Sequence, residues 1–300
     1  MKKRGVFDMG LVSMDFLLRD AQAENYAVGQ FNVNGFEWFE GVLTAAEAEH
    51  SPVILGVSDR LVDYLGGFRA IFQTATAYMN RFEVTIPCVL HLDHAHTFER
   101  CAEAVDAGFT SVMIDGSHLP FEENVKLTSR VVEYAHAHQV SVEGEVGRVG
   151  GVEDGEASEM RNADPDECVE FVSRTGVDAL AAALGSVHGF YENPQIDFAS
   201  LRSIARRVST PLVLHGGSGI SGESLAEAIR SGYSKVNVNT DCLIAWRDAI
   251  KCFLEDHPHI YEPYTILHKG SEAIYQVVRL KIQEFGSSRK AEHFLLQKNG

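Results

Sequence analysis

Leu90-His91-Leu92-Asp93-His94-Ala95 follows an apolar run, Ile86-Pro87-Cys88-Val89-Leu90, that reads as a buried strand. A strand ending in His, Asp and His brings a metal ligand and a carboxylate to one point. A polar surface turn is the plain alternative, and this stretch alone does not separate the two. Ideal alternation sends Asp93 and His94 to opposite faces of a strand. Both reach one cavity only if the strand has ended and the chain is turning, so the sequence predicts a turn there.

Outward from this stretch, short apolar runs rich in β-formers alternate with helix-like segments. Candidate strands cover 27–33, 52–58, the run into the opening stretch, 111–117, 141–147, 178–185, 211–217 and 235–240. The alanines of 178–185 could equally sit in a helix. Candidate helices cover 36–50, 67–81, 98–107, 122–138, 165–175, the segment from the Asn193-Pro194 turn through Arg207, and 222–231. A loop of glycines and acids spans 148–164, and 243–300 reads as terminal helices packed on the outside. Strands alternating with helices give a parallel α/β fold. Eight such units over about 220 residues match a closed (β/α)₈ barrel with extra C-terminal helices. A doubly wound open sheet is the competing architecture. No Gly/Ser/Pro-rich linker and no tandem repeat divides the chain, so residues 1–300 are expected to form a single domain.

Composition narrows the function. Hydrophobic residues make up 45% of the 300, enough for a sizeable core. No apolar run reaches the ~18 residues of a membrane span, and the basic start Met1-Lys2-Lys3-Arg4-Gly5 leads into no apolar signal core. The 5 cysteines form no CxxC pair, which suits reduced thiols in a cytoplasmic protein. The net charge is −16, with no Lys/Arg cluster beyond residues 2–4, so a nucleic-acid or membrane partner is not expected. An anionic small molecule could still bind where a metal ion or backbone N–H groups supply a local positive field.

Barrel active sites lie at the carboxyl ends of the strands. The polar residues there form one set: Asn32, Ser58, Asp93, His94, Asp115, Ser117, Glu145, His188, His215, Asn237 and Asn239. Singly, each has a plain explanation, since Asn and Ser cap helices and a lone His is often simply hydrogen-bonded. Together they converge on one mouth. His94, His188 and His215, from strands three, six and seven, match three protein ligands with an open position, as in a catalytic zinc site. Imidazole also suits other divalent ions. His118, His136, His138, His257 and His293 are expected on the surface.

Two loops add to the mouth. His215-Gly216-Gly217-Ser218-Gly219 and Asn237-Val238-Asn239-Thr240 each precede a helix, after strands seven and eight, where such barrels often bind phosphate. A tight turn with a helix cap is the alternative. Gly150-Gly151-Val152-Glu153-Asp154-Gly155 has the flanking glycines of a mobile lid, although composition alone favours a solvated acidic loop.

These motifs, with Met113-Ile114-Asp115-Gly116-Ser117, Glu143-Gly144-Glu145-Val146-Gly147, Gly185-Ser186-Val187-His188-Gly189 and Lys235-Val236-Asn237-Val238-Asn239-Thr240, resemble class II, zinc-dependent ketose-bisphosphate aldolases in order and spacing from about residue 11 to 290. The resemblance implies a TIM barrel in a homodimer or homotetramer, cleaving a ketose phosphate reversibly into dihydroxyacetone phosphate and an aldehyde. It makes His94, His188 and His215 the Zn2+ ligands and Asp93 the group that protonates or polarises the aldehyde oxygen. Glu153 becomes the lid residue that removes a proton from carbon 3 of the enolisable half. Gly189, Gly216, Gly217, Ser218, Asn237, Val238, Asn239 and Thr240 correspond to the dihydroxyacetone phosphate site, with Asn32 and Ser58 as further substrate contacts. Carbonyls around Val187, Gly189, Gly216 and Ser218 match a monovalent-cation site (Na+ or K+) of part of the family. Glu145 matches a residue that stands behind the metal, or holds it when the ion shifts.

Fructose 1,6-bisphosphate is the commonest substrate of the family, and tagatose 1,6-bisphosphate its epimer. Residues 58–68, 178–184 and 242–246 are similar to the branch that cleaves 6-phospho-5-dehydro-2-deoxygluconate. Tyr264-Thr265-Ile266-Leu267-His268-Lys269-Gly270 departs from the family in lacking an Arg often found there. Two other readings remain open. A Schiff-base aldolase needs a lysine deep in the barrel, and Lys235 is expected at the wrong end of its strand. A non-catalytic accessory subunit of a sugar-phosphate aldolase would have no need to keep Asp93, Glu153 and all three histidines.

Overall fold

The computed structural model describes residues 10–153, 156–189 and 195–297, without the side chains of 152–158 and 295–297. In chain order the elements are α1 (Met14–Glu24), β1 (Val28–Asn32), α2 (Trp38–Ala48), β2 (Val53–Ser58), α3 (Phe68–Arg81), β3 (Cys88–Ala95), α4 (Phe98–Ala107), β4 (Ser111–Ile114), α5 (Phe121–Ala137) and β5 (Ser141–Val146). Next come β6 (Gly150–Glu153), β7 (Glu156–Ser158), α6 (Pro165–Thr175), β8 (Ala179–Ala182), β9 (Val187–His188), α7 (Phe198–Ala205), β10 (Leu212–Leu214), α8 (Gly222–Arg230) and β11 (Tyr233–Val238). The helices α9 (Thr240–Asp256), α10 (Pro263–Glu284) and α11 (Ala291–Gln297) finish the chain.

Eight strands close in the order β1-β11-β10-β8-β5-β4-β3-β2, all parallel, so the barrel wins over the open sheet. The alanines of β8 are strand, buried between β5 and β10. Local signals set the helix ends. Thr97 accepts from the Arg100 N–H at the start of α4, and Asp164 caps α6 ahead of Pro165 at its first position. The Asn193-Pro194 turn lies outside the described residues; the helix expected after it is α7.

The core divides in two. Outward-facing strand residues such as Phe31, Leu55, Leu90, Val112 and Leu180 pack under the surrounding helices. Inward-facing Val28, Ile54, Val89, Ala179, Ala181 and Val213 pack against Met14, Leu17, Leu18 and Ala21 of α1 and against Phe294 of α11. The amino end of the barrel is therefore plugged by helices, and only the carboxyl end is free to hold a site. The plug was not expected from the sequence. Among the described residues no helix is long and apolar enough to cross a membrane.

Candidate active site at the barrel mouth

Alternation along β3 sends Val89, His91 and Asp93 inward as three successive levels, from apolar to polar. Asp93 is 1% exposed. Its Oδ2 accepts from Gln30 Nε2 at 2.8 Å and Asn32 Nδ2 at 2.9 Å, both on β1. Its Oδ1 is buried with no hydrogen-bond partner. Burial pushes this carboxyl up, but facing His94 and Lys235 pull it down to about 2, so it is ionised at neutral pH.

The turn expected at His94 takes a different form. β3 does not end there but runs on through Ala95. The register against β4 slips between Leu92 and Ala95, and His94 has φ +53°. This is a bulge, which rotates one side chain across the pleat. It directs His94 into the mouth beside Asp93, with Nε2 3.9 Å from Asp93 Oδ1. A left-handed backbone on a residue other than glycine is uncommon and costs energy. The bond from His94 Nδ1 to Asp115 Oδ2, 2.9 Å, holds it in place.

His215 follows β10, with ring centroid 4.7 Å from that of His94. His188 lies 5.3 Å from His94 and 5.8 Å from His215, centroid to centroid. One donor atom from each of the three falls within 4.8 Å of the others. His188 is not at the end of the sixth barrel strand as expected. The chain leaves β8, turns at Gly185 (φ +94°) and forms β9, which belongs to a separate small sheet in the order β7-β6-β9. Main-chain pairing with β6, rather than barrel register, positions this histidine.

The donor set suits a divalent cation. His215 Nε2 lies 2.8 Å from Glu143 Oε1, and Glu143, although buried, is held well below the usual carboxylate range by Lys235. An ionised carboxylate only accepts, so Nε2 carries the proton and Nδ1 keeps its lone pair. That Nδ1 sits 3.0 Å from His94 Nε2. Asp115 is likewise ionised, so His94 Nδ1 carries a proton and its Nε2 is the inner nitrogen. Two inner nitrogens this close need a proton or a metal between them. Burial, and the charge of the neighbouring histidines, also pushes His188 and His215 below the usual range, which favours the neutral, ligating form. Glu145 adds a buried Oε2 without a partner, and burial beside Asp115 raises its carboxyl well above the usual range. His94, Asp115 and Glu145 form a second, overlapping cluster.

Lys235 is not at the wrong end of its strand. It lies inside the barrel, fully buried, with Nζ 2.6 Å from Glu143 Oε2. This lysine spends its charge on Glu143. Sequence reading also missed Gln30 and Glu143. The available signal was parity: Gln30 is two residues before Asn32, Glu143 two before Glu145, and Lys235 two before Asn237, so each shares its neighbour's inward face.

The remaining expected residues are placed as follows. Ser58 and Asn237 are buried at the ends of β2 and β11, and Asn237 Oδ1 has no partner. Gly216 adopts φ +66°, and a Cβ there would come within 2.2 Å of the Val187 carbonyl. Gly217 N–H donates to Asn237 O at 2.9 Å, which joins the two loops. Ser218 Oγ accepts from Asp241 N–H at 3.1 Å in the first turn of α9, next to Thr240. Asn239 Oδ1 accepts from Asn34 Nδ2 at 2.9 Å. The Val238 side chain points outward into the core, so only its backbone can meet a ligand. Gly189 follows β9 directly. Gly150–Glu153 is not a free loop but β6, paired with β7 and β9. Gly151, at φ +106°, packs on the His188 backbone so closely that a Cβ would sit 2.2 Å from His188 O. The Glu153 side chain, and Asp154 and Gly155 whole, lie outside the described residues.

A barrel whose mouth joins three histidines to an ionised, half-free carboxylate can hold a divalent cation beside a proton-transfer group, and the family it matches makes it an aldehyde-lyase, an aldolase. Residues 12–290 match the family model described as fructose-bisphosphate aldolase class-II. The chain belongs to the class II fructose-bisphosphate aldolase family. It is 51% identical over 284 residues to the 6-phospho-5-dehydro-2-deoxy-D-gluconate aldolase of Shouchella clausii (strain KSM-K16), covering 94% of this chain and 97% of that one. It is 52% identical over 285 residues to the fructose-bisphosphate aldolase of Geobacillus stearothermophilus, covering 94% and 99%. Among solved structures it is similar to the YdjI aldolase from Escherichia coli K12, with TM-score 0.82 and 33% identity over 94% of this chain and 100% of that one.

Proposed function

We propose that the protein reversibly cleaves a ketose phosphate of the fructose 1,6-bisphosphate type into dihydroxyacetone phosphate and an aldehyde, with Zn2+ on His94, His188 and His215. The observation that carries the reading is the approach of these three imidazoles to one another beside the unpartnered Oδ1 of Asp93. Zinc at this position supplies a Lewis acid for the electron density released when the carbon–carbon bond breaks.

The chain's own groups do the rest. In the cleavage direction Asp93, already ionised, takes the proton of the hydroxyl one carbon beyond the scissile bond, so that carbon becomes the aldehyde. The electron pair passes to the carbon next to the ketone, and Glu153 delivers a proton there, giving dihydroxyacetone phosphate. Condensation runs the same transfers backwards. Gly189, Gly216, Gly217 and Ser218 with Asn237, Val238, Asn239 and Thr240 bind the phosphate end. Glycines admit the phosphate to main-chain N–H groups, and the start of α9 adds the helix's positive pole. Asn32 holds Asp93 in place, and Ser58 lines the same wall. Carbonyls of Val187, Gly189, Gly216 and Ser218 are assigned a monovalent cation, supported by the close packing of Val187 O on Gly216. Glu145 is assigned as an alternate ligand through its free Oε2.

A second sugar is favoured by a specific observation. Identity to relatives named for 6-phospho-5-dehydro-2-deoxy-D-gluconate is within one percentage point of that to a fructose-bisphosphate aldolase, 51% against 52%. The two substrates share the phosphate end and differ at the far end, a carboxylate in one and a second phosphate in the other. A panel coupled to dihydroxyacetone phosphate release, including tagatose 1,6-bisphosphate, separates them by kcat/KM. Chelation should abolish cleavage, and zinc or cobalt should restore it. Full activity after complete metal removal overturns the proposal. A cytoplasmic homodimer or homotetramer completes the reading. Light scattering tests the subunit number.

A further inference from the structure

A third cluster of possible ligands lies at the rim, on the loops after β3 and β4. One donor atom each from His96, Asp115 and His118 lies within 4.8 Å of the others. Both histidines are exposed, and their rings meet edge to face at 5.3 Å between centroids. His96 Nδ1 lies 3.1 Å from the Asp115 carbonyl. A carbonyl only accepts, so Nδ1 carries the hydrogen and Nε2 keeps the lone pair. A histidine that ligates a metal through one nitrogen while donating the other N–H to a main-chain carbonyl is set up in the same way. The Asp115 carboxylate is oriented from two sides, by His94 Nδ1 at 2.9 Å and Ser117 N–H at 3.0 Å. The Ser117 hydroxyl bonds it as well, and a carboxylate's about four lone-pair sites still leave capacity for a cation.

We propose that His96, His118 and Asp115 form a second, weaker site for a divalent transition-metal cation, completed by water. Two imidazoles and one carboxylate suit zinc, cobalt or nickel better than calcium or magnesium. The site is weaker because its histidines are exposed and must lose side-chain freedom to converge. It shares Asp115 with His94, so an ion at the rim draws carboxylate charge away from the His94 N–H. Occupancy of the rim then weakens the hold of Asp115 on that ring and lowers activity at high metal concentration.

The test is titration of metal-free protein with Co2+, read by calorimetry and by the visible absorption of bound cobalt. The unaltered chain should show a tight class and a weaker class of one equivalent each. In the double variant His96→Ser, His118→Ser the weaker class should vanish while the tight class stays. His215→Ala should do the reverse, losing the tight class and keeping the rim. A weaker class that survives the double variant places the second ion elsewhere, such as on Glu145, and overturns the proposal. So does a single class in the unaltered chain. If His215→Ala keeps the tight class, the catalytic reading fails, while the rim is judged separately by the double variant.

Discussion

Asp93 can serve as a proton acceptor because its two oxygens have different neighbours. Oδ2 is engaged by Gln30 and Asn32, and Oδ1 is left free beside His94. Asp93→Ala should therefore keep metal but lose about 10²- to 10⁴-fold in cleavage rate, the usual contribution of a positioned acid or base. Equal loss of metal, measured on the same preparation, would make Asp93 a ligand instead. Glu143 acts through His215. Replacing it with Gln removes the charge that fixes the ring's tautomer and leaves Lys235 unpaired in the barrel. Metal affinity of Glu143→Gln should fall about 10- to 100-fold, and stability by about 3–5 kcal/mol, as for a broken buried pair. Unchanged cobalt affinity would mean that something else orients His215.

The loops after β10 and β11 work as one unit, because Gly217 N–H is bonded to Asn237 O and Ser218 caps the first turn of α9. Gly216 lets the first loop pass close to β9. Gly216→Ala places a Cβ against Val187 O and forces alanine into a left-handed backbone. The backbone alone costs about 1–2 kcal/mol. The loop must shift, so KM for the ketose phosphate should rise more than kcat falls. Steady-state kinetics with an unchanged KM would remove this loop from the phosphate site. The small sheet β7-β6-β9 has a comparable role, tying the segment before Glu153 to the strand that carries His188.

Across the whole molecule, polarity rises along the barrel axis. Val28, Ile54 and Val89 lie against α1, the Lys235–Glu143 pair sits above them, and Asp93 with the histidines occupies the mouth. The C-terminal layer is fastened to this barrel by Glu49 at the end of α2. Its carboxylate accepts from Arg279 at 2.8 Å, Gln283 at 3.0 Å and Ser288 at 2.9 Å. Burial pushes Glu49 up, but the bond from Arg279 wins and lowers it. A carboxyl lowered in the folded state stabilises fully above its unfolded value, and that contribution is lost as pH falls through the folded one. Glu49→Gln should thus cost about 1 kcal/mol at pH 7. In urea titrations the gap between the two chains should narrow below the ordinary carboxylate range. A gap independent of pH would exclude the charge of Glu49 as its source.

The strand and helix alternation, and the gathering of Asp93, His94, His188 and His215 at one mouth, could be read from the chain. Hydrophobic periodicity acts over a few residues, so it is written locally. The bulge that turns His94 inward, the two-residue strand that places His188, the α1 plug, and the pairing of Lys235 with Glu143 could not. Each depends on groups brought together from distant parts of the chain, 92 residues apart for Lys235 and Glu143. Such contacts form only once the barrel has closed, when the desolvation of buried charge makes a partner obligatory. The linear pattern thus specified a barrel with ligating and ionisable groups at one end, whereas closure determined which nitrogen faces inward and which oxygen stays free.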